Sequence, residues 1–257
     1  MTAFAAPRSA AHKFSLALAI APLALGLAAC NKDTAETAAP SGAPIAKIAP
    51  PAGKAWSDVV ATTADGGYQM GNPQAPIKLV EFGALSCSHC AEFSEKGSAE
   101  IRDNFVASGR VSFELRFMMN NFLDVPAALL ATCGSSEAVI PLSDQFWGWQ
   151  KTMFENLQKS DQAQLQASAA LPPEQRFVAI AAAAGMDQFF ASRGIAADQG
   201  KICLADSAKA TKLATNSTAQ SEKFKIEGTP TLTLNGQKID GNTWEVVKVE
   251  LEKAGAR

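Results

Sequence analysis

Histidine is scarce in this 257-residue sequence, which contains only His12 and His89. Two imidazoles exclude a metal centre built from several histidines. Positive charge is not in excess either, because 23 lysines and arginines face 25 acidic residues, for a formal net charge of −2. Without surplus positive charge to displace phosphate counterions, the composition gives no support to nucleic-acid binding. With 47% hydrophobic residues, the chain is too apolar to be disordered throughout.

The amino-terminal hydrophobic run is too short for a transmembrane helix, which needs about 20 apolar residues. It covers residues 14–29 (FSLALAIAPLALGLAA) and follows a stretch with two basic residues and no acidic one. That pattern predicts a secretory signal peptide over residues 1–29. The sequence Leu-Ala-Ala-Cys that ends at Cys30 resembles the lipobox of bacterial lipoproteins. The resemblance implies cleavage before Cys30 and lipidation of its sulfur; ordinary secretion and an uncleaved anchor are the alternatives.

The segment after Cys30 is rich in alanine and proline and has no large aromatic side chain before Trp56. Such a segment cannot bury enough apolar surface to offset the entropy lost on ordering. We therefore predict that residues 30–55 comprise the lipid attachment point and a disordered linker. One folded domain is expected over residues 56–257.

Two short apolar runs, Ile77–Phe82 and Val111–Phe117, are separated by a mixed polar and apolar stretch that ends near Val106. Short apolar runs bounded by proline and glycine are typical of buried strands, and the stretch between them predicts a helix. Strand, helix and strand in this order form a βαβ unit, whose two strands are expected to be parallel.

The remainder of the chain predicts a helical insertion over residues about 121–225, followed by a hairpin and a final helix. Thr231–Leu234 and Gln237–Ile239 flank an Asn-Gly pair, the strongest short-range hairpin signal. Thr243 is an acceptable N-cap for the last helix. The order βαβ, helical insertion and ββα predicts a thioredoxin fold, an α/β architecture.

Cys87 and Cys90 form a Cys-x-x-Cys motif between the first predicted strand and helix, a pattern typical of thioredoxin-like redox sites. A helix N-terminus supplies partial positive charge and free N–H groups that stabilise an attacking thiolate. We expect Cys87 to be that thiolate, Cys90 to resolve mixed disulfides, and His89 to add positive charge. A zinc site and a structural disulfide are the alternatives, although zinc requires four ligands and no second motif supplies them.

The motifs resemble those of the DsbA-like thiol:disulfide oxidoreductases of bacterial cell envelopes. The resemblance rests on the segments Gly71–Pro76, Glu81–Cys90 and Gly228–Thr231 and covers residues about 66–254. It implies that Cys87 is the nucleophile, Cys90 the resolving thiol, Pro230 the cis-proline that faces them and Glu81 the buried acid beneath them. Ser88 stands where the best-known members carry proline.

Two of these assignments have alternatives when the residues are considered by themselves. Pro230 could be a trans proline that opens a strand; as a cis-proline beside the cysteines, it would let Thr229 pair with an incoming peptide as an added strand. Glu81 could point outward from a half-exposed strand. On a strand covered on both faces it would have a raised pKa and could accept the proton of Cys90.

Cys133 and Cys203 remain once Cys30 and the redox pair are assigned. In an oxidising compartment, two such cysteines are expected to form a structural disulfide. Two buried free thiols are the alternative.

The expected function is that of a monomeric dithiol oxidase, lipid-anchored on the periplasmic side of the bacterial envelope, that passes its Cys87–Cys90 disulfide to reduced exported proteins. The resemblance implies reoxidation by a membrane quinone-linked partner. No metal, organic cofactor or nucleic acid is expected. A reductase or isomerase is the enzymatic alternative, and a non-catalytic binding lipoprotein on a thioredoxin scaffold is the alternative from another class.

Overall fold

The computed structural model describes residues 42–257. The strands in this part of the chain are β1 (Val60–Thr62), β2 (Tyr68–Gly71), β3 (Ile77–Gly83), β4 (Val111–Phe117), β5 (Thr231–Leu234) and β6 (Gln237–Lys238). The helices are α1 (Ser88–Glu100), α2 (Asp124–Ala131), α3 (Ser136–Lys159), α4 (Gln162–Ser168), α5 (Pro173–Ala184), α6 (Met186–Ala191), α7 (Ala197–Leu204), α8 (Ser207–Phe224) and α9 (Trp244–Lys253). A π-helical segment, Ile101–Val106, continues α1.

The strands form one sheet in the order β1-β2-β4-β3-β5-β6. Strands β3 and β4 are parallel, with Glu81 opposite Leu115, and the other neighbours are antiparallel. Parallel strands of this kind are buried on both faces, and all seven residues of β4 are buried. The predicted βαβ unit, the β5–β6 hairpin and the thioredoxin fold are therefore confirmed.

The β1–β2 hairpin is an element that the sequence analysis missed. Val60 pairs with Met70 and Thr62 with Tyr68, around a turn in which Gly66 has φ +80°. Strand β1 has three residues, none of them buried, and so lacks the apolar run that predicts a strand. The pairing of β2 with β4 extends the sheet to this edge hairpin.

Helices α2 to α8 form the predicted insertion between β4 and β5. Its core includes an aromatic cluster in which Phe146 stacks on Phe190 and Trp149 on Phe189. Helix α3 also contacts α1, since Asp144 accepts hydrogen bonds from Ser94 and Ser98. The insertion thereby packs directly behind the first helix of the βαβ unit.

The linker is predicted to be disordered, but residues 42–48 of it are hydrogen-bonded to the folded domain. The backbone N–H of Gly42 donates to Lys253 O at 2.8 Å, and that of Ile48 donates to Ser108 O at 2.9 Å. The indole of Trp56 donates to Ile48 O at 2.8 Å. Composition did not reveal this order because it depends on long-range backbone hydrogen bonds and on Ile45, which packs against the core of the domain.

The predicted signal peptide, Cys30 and the first part of the linker lie outside the described residues. Among residues 42–257, no helix combines the length and the apolar character needed to span a membrane.

Candidate active site

Cys87 and Cys90 lie at the start of α1, where β3 leads into the helix. Cys87 is the N-cap residue, with extended backbone angles (φ −82°, ψ 120°), and its Sγ accepts a hydrogen bond from the backbone N–H of Cys90 at 3.3 Å. Cys87 is half-buried, whereas Cys90 is fully buried, and both are free thiols. A sulfur atom thus takes the place of the side-chain oxygen that normally caps a helix.

These surroundings lower the pKa of Cys87 to about 5. The largest cause is a hydrogen bond from the Cys90 side chain, and further hydrogen bonds come from the Thr229 side chain and from the backbone N–H groups of Cys90 and His89. Partial burial opposes them. At neutral pH the thiolate therefore exceeds the thiol by about 100-fold, a property expected of a nucleophilic cysteine.

The pKa of Cys90 moves in the opposite direction, well above its ordinary value. Burial is the largest cause, and the side chains of Cys87 and Glu81 raise it further. Two cysteines three positions apart are thus made chemically unlike: one is ionised and accessible, the other protonated and covered.

Glu81 lies on β3 and is 1% exposed, so the outward orientation considered from the sequence is wrong. Its Oε1 atom is buried without a hydrogen-bond partner. Burial raises the pKa of Glu81 well above its usual range, and the negative charges of Asp144 and Cys87 raise it further. The carboxyl group therefore keeps its proton to a higher pH than an ordinary glutamate, and its charge raises the pKa of Cys90.

The loop before β5 approaches Cys87 from the other side. The peptide bond between Thr229 and Pro230 is cis, and the carbonyl oxygen of Thr229 lies 3.1 Å from Cys87 Sγ. An open groove of about 280 Å³ runs beside this loop, lined by Gly228–Leu232 and Lys238–Asn242. The structure thus brings the predicted residues Cys87, Cys90, Glu81, Thr229 and Pro230 together around one sulfur atom.

His89 differs from the prediction in how it acts. Its side chain is 72% exposed, and its Nδ1 lies 3.9 Å from a carboxylate oxygen of Glu92. The contribution that the structure shows from His89 comes from its backbone N–H, which lowers the pKa of Cys87. The residue is therefore part of the site through the helix N-terminus rather than through its imidazole.

Several polar residues that support the site were not predicted. Gln150 donates to the carbonyl oxygens of Leu85 and Cys87 at 2.8 and 3.0 Å, and Trp147 donates to that of Ala84 at 3.0 Å. Both residues lie on α3, more than 60 positions away in sequence. Local sequence patterns hold no signal for such long-range partners.

Cys133 and Cys203 form a disulfide with an S–S distance of 2.08 Å across a sequence separation of 70. It joins the residues after α2 to α7, within the helical insertion. Among residues 42–257, no group of three or more histidine, cysteine, aspartate or glutamate side chains is arranged to hold a metal ion.

A family model described as thioredoxin matches residues 63–253. The chain belongs to the thioredoxin family. The match contains both the Cys-x-x-Cys motif and the cis-proline loop. A crystal structure of a protein-disulfide isomerase from Novosphingobium aromaticivorans is similar to this thioredoxin-family chain, with 27% identity and a TM-score of 0.70. The similarity covers 74% of this chain and 97% of that one.

Other matches of this thioredoxin-family chain are more distant. The structure of Wolbachia pipientis alpha-DsbA1 has 20% identity and a TM-score of 0.53, with coverage of 73% and 91%, and shows a shared fold. Disulfide bond formation protein D of Bacillus subtilis is 28% identical over 93 residues, which are 36% of this chain and 40% of that protein. A match to a Rickettsia prowazekii protein covers 62% of its length, so the chain spans only part of these curated relatives.

Proposed function

We propose that this thioredoxin-family protein is a DsbA-like thiol:disulfide oxidoreductase that transfers its Cys87–Cys90 disulfide to reduced proteins. The observation that carries the proposal is the separation of the two pKa values, lowered to about 5 for Cys87 and raised well above the ordinary value for Cys90. A stabilised thiolate favours the reduced form of the pair, and that makes the disulfide form a stronger oxidant.

The reaction proceeds as two thiol–disulfide exchanges. A client thiolate attacks Sγ of Cys87, the Cys87–Cys90 bond breaks, and Cys90 leaves as a thiolate. The carboxyl group of Glu81, whose pKa burial raises, would supply the proton that Cys90 then takes up. A second client thiolate attacks the client sulfur of the mixed disulfide and releases Cys87 as a thiolate. The client loses two electrons and the Cys87–Cys90 pair gains them.

Client chains would bind in the groove beside Thr229 and Pro230. Main-chain pairing of an extended peptide provides affinity without a requirement for particular side chains, as a general oxidase of unfolded proteins needs. The exposed position of this groove beside the half-buried Cys87 supports the assignment.

The proposed location is the periplasmic side of the bacterial envelope, with a lipid on Cys30 and a membrane quinone-linked partner that restores the disulfide. The predicted signal over residues 1–29 supports export, and the Cys133–Cys203 disulfide supports an oxidising compartment. We propose that the enzyme acts as a monomer and without a bound cofactor, because the disulfide itself supplies the oxidising equivalents.

The proposal is tested by trapping the mixed disulfide. In Cys90→Ser the resolving thiol is absent, so a mixed disulfide is expected to accumulate when the Cys87 thiolate attacks a client peptide that carries a disulfide and one client cysteine leaves as a thiolate. Non-reducing electrophoresis with mass spectrometry detects it. The matched Cys87→Ser variant should form no adduct; an adduct in that variant, or none in either, would contradict the assignment of the nucleophile.

Isomerase activity is a second candidate, supported by the similarity to the protein-disulfide isomerase of Novosphingobium aromaticivorans. The equilibrium potential in glutathione buffers separates the two activities. A value near about −120 mV, as in DsbA, supports an oxidase, and a value near about −180 mV, as in protein disulfide isomerase, supports an isomerase. A non-catalytic binding protein requires neither of these potentials. That alternative predicts a Cys87 pKa near that of a free thiol, about 8.5.

A further inference from the structure

Asp124, the first residue of α2, connects two loops that surround Cys87. It is 1% exposed. Its Oδ1 accepts the backbone N–H of Ser86 at 2.8 Å, and its Oδ2 accepts those of Asn120 and Asn121 at 2.9 and 3.0 Å. One carboxylate therefore binds the residue before the nucleophile and the loop between β4 and α2.

Asn120 extends this connection to the cis-proline loop. Its side-chain N–H donates to Oγ1 of Thr229 at 2.7 Å. Because that oxygen accepts the bond from Asn120, the hydroxyl proton of Thr229 is left free to point elsewhere. The same residue lies against the nucleophile, since the carbonyl oxygen of Thr229 is 3.1 Å from Cys87 Sγ, and a hydrogen bond from the Thr229 side chain lowers the pKa of Cys87.

The hydrogen bonds of Asp124 exceed what a helix cap requires. An N-cap carboxylate satisfies N–H groups of its own helix, whereas Oδ1 of Asp124 binds Ser86, which is 38 positions away in sequence. Asn121 makes a second bridge, since its side-chain N–H donates to Oγ of Ser86 at 2.6 Å. Burial raises the pKa of Asp124 although these hydrogen bonds lower it. The protein therefore keeps an acidic side chain at a position where burial disfavours the charged form.

We infer that Asn120 and Asp124 are positioning residues of the active site: Asp124 joins the loops of Ser86 and Asn120, and Asn120 directs the Thr229 hydroxyl toward the Cys87 sulfur. The inference rests on the proposed function, because it assumes that Cys87 is the reactive thiolate. Neither residue contacts the sulfur. Each acts through Ser86 or Thr229, so changes in them should alter the ionisation of Cys87 without removing it.

Two variants of Asn120 test this role by the ultraviolet absorbance of the thiolate as a function of pH. Asn120 is exposed, so both should fold. In Asn120→Ala the Thr229 hydroxyl loses its orientation, and the Cys87 pKa should rise by about half a unit. In Asn120→Asp the new carboxylate accepts the Thr229 hydroxyl proton and adds negative charge, so the rise should be larger, about one unit.

Asn72→Ala is the matched control. Asn72 is also a hydrogen-bonded asparagine, and its side-chain N–H donates to Gly109 O at 3.0 Å, outside the active site. The Cys87 pKa of this variant should equal that of the wild type. A wild-type pKa near 5 together with unshifted Asn120 variants would overturn the inference and leave the proposed function intact. A wild-type pKa near the free-thiol value would instead overturn the proposed function.

Asp124→Asn tests the other half of the inference. The amide retains one acceptor oxygen and cannot serve all three N–H groups, so the Cys87 pKa should rise as in Asn120→Ala. Because Asp124 acts partly through Asn120, the Cys87 pKa of the double variant Asn120→Ala/Asp124→Asn should rise by less than the sum of the two single rises. Fully additive shifts would show that Asp124 does not act through Asn120. If Asp124→Asn does not fold, the Asn120 variants still decide whether the connection from Asn120 to Thr229 controls the Cys87 pKa.

Discussion

The two cysteine pairs of this protein differ in what surrounds the sulfur atoms. Cys87 accepts a hydrogen bond from the N–H of Cys90 at a helix N-terminus, an arrangement that stabilises a thiolate. In the other pair, Cys133 and Cys203 are joined in a disulfide, and their sulfur atoms contact the backbone oxygens of Gln199 at 3.5 Å and of Cys133 at 3.9 Å rather than an N–H donor. The same functional group is therefore expected to be exchangeable at the first site and inert at the second.

The largest expected effect of this difference is on activity. Cys87→Ser should abolish disulfide transfer to a reduced client peptide, because the Cys87–Cys90 disulfide cannot form and only the buried thiol of Cys90 remains. Replacing both Cys133 and Cys203 with alanine should leave the transfer rate near that of the wild type at a temperature where the variant is folded. Loss of client thiols measured over time compares the two. Equal losses in both variants would remove the functional distinction between the pairs.

Loss of the Cys133–Cys203 disulfide should have the larger effect on the stability of the fold. Removing a cross-link that closes a loop of 70 residues is expected to lower the free energy of unfolding by about 4 kcal/mol in the chain-entropy description. Urea unfolding of Cys133→Ala/Cys203→Ala against the wild type measures the loss. The Cys87 pKa should be the same in both, and a shift there would show that the two sites are coupled.

Glu81→Gln should slow the exchange reaction because it removes the proton source for Cys90. We expect a loss on the order of tenfold, below the 10²–10⁴ typical of a proton donor in direct contact. Stopped-flow measurement of mixed-disulfide formation at pH 7 gives the rate. A full-rate Glu81→Gln variant would assign the proton to water instead.

The same substitution should increase stability at neutral pH. Since the pKa of Glu81 is raised in the folded state, its contribution to stability is complete below the unfolded pKa and is lost as pH rises toward the folded value. The glutamine variant has no such loss. Urea unfolding of the reduced proteins should therefore show a smaller decrease in the free energy of unfolding from pH 4 to pH 8 for Glu81→Gln than for the wild type. Equal decreases in the two proteins would refute a raised pKa of Glu81.

The smallest effect is on the pH dependence of the redox potential. Between pH 5 and the raised pKa of Cys90, reduction produces a Cys87 thiolate and a Cys90 thiol, so two electrons bring one proton. The potential should fall by about 30 mV per pH unit, whereas a pair of ordinary thiols falls by about 59 mV. Glutathione titrations from pH 6 to pH 8 distinguish the two slopes.

Part of the fold and most of the reacting groups could be predicted from the sequence. Ile77–Phe82 and Val111–Phe117 are apolar runs of strand length, and the motif between them places Cys87 at a helix start. By contrast, β1 has no buried residue, and its pairing depends on β2. The partners Gln150 and Asp124 reach the active-site loop from 65 and 38 positions away. Hydrogen bonds over such separations arise only when the chain folds and leave no local pattern.

The attachment of residues 42–48 limits how far the domain can move from a membrane anchor. The chain is fixed to the domain from Gly42, whose N–H donates to Lys253 O, rather than from Trp56. With the proposed lipid on Cys30, the intervening segment can extend at most about 40 Å. A domain tethered in this way could act only on clients within that distance of the membrane that holds it.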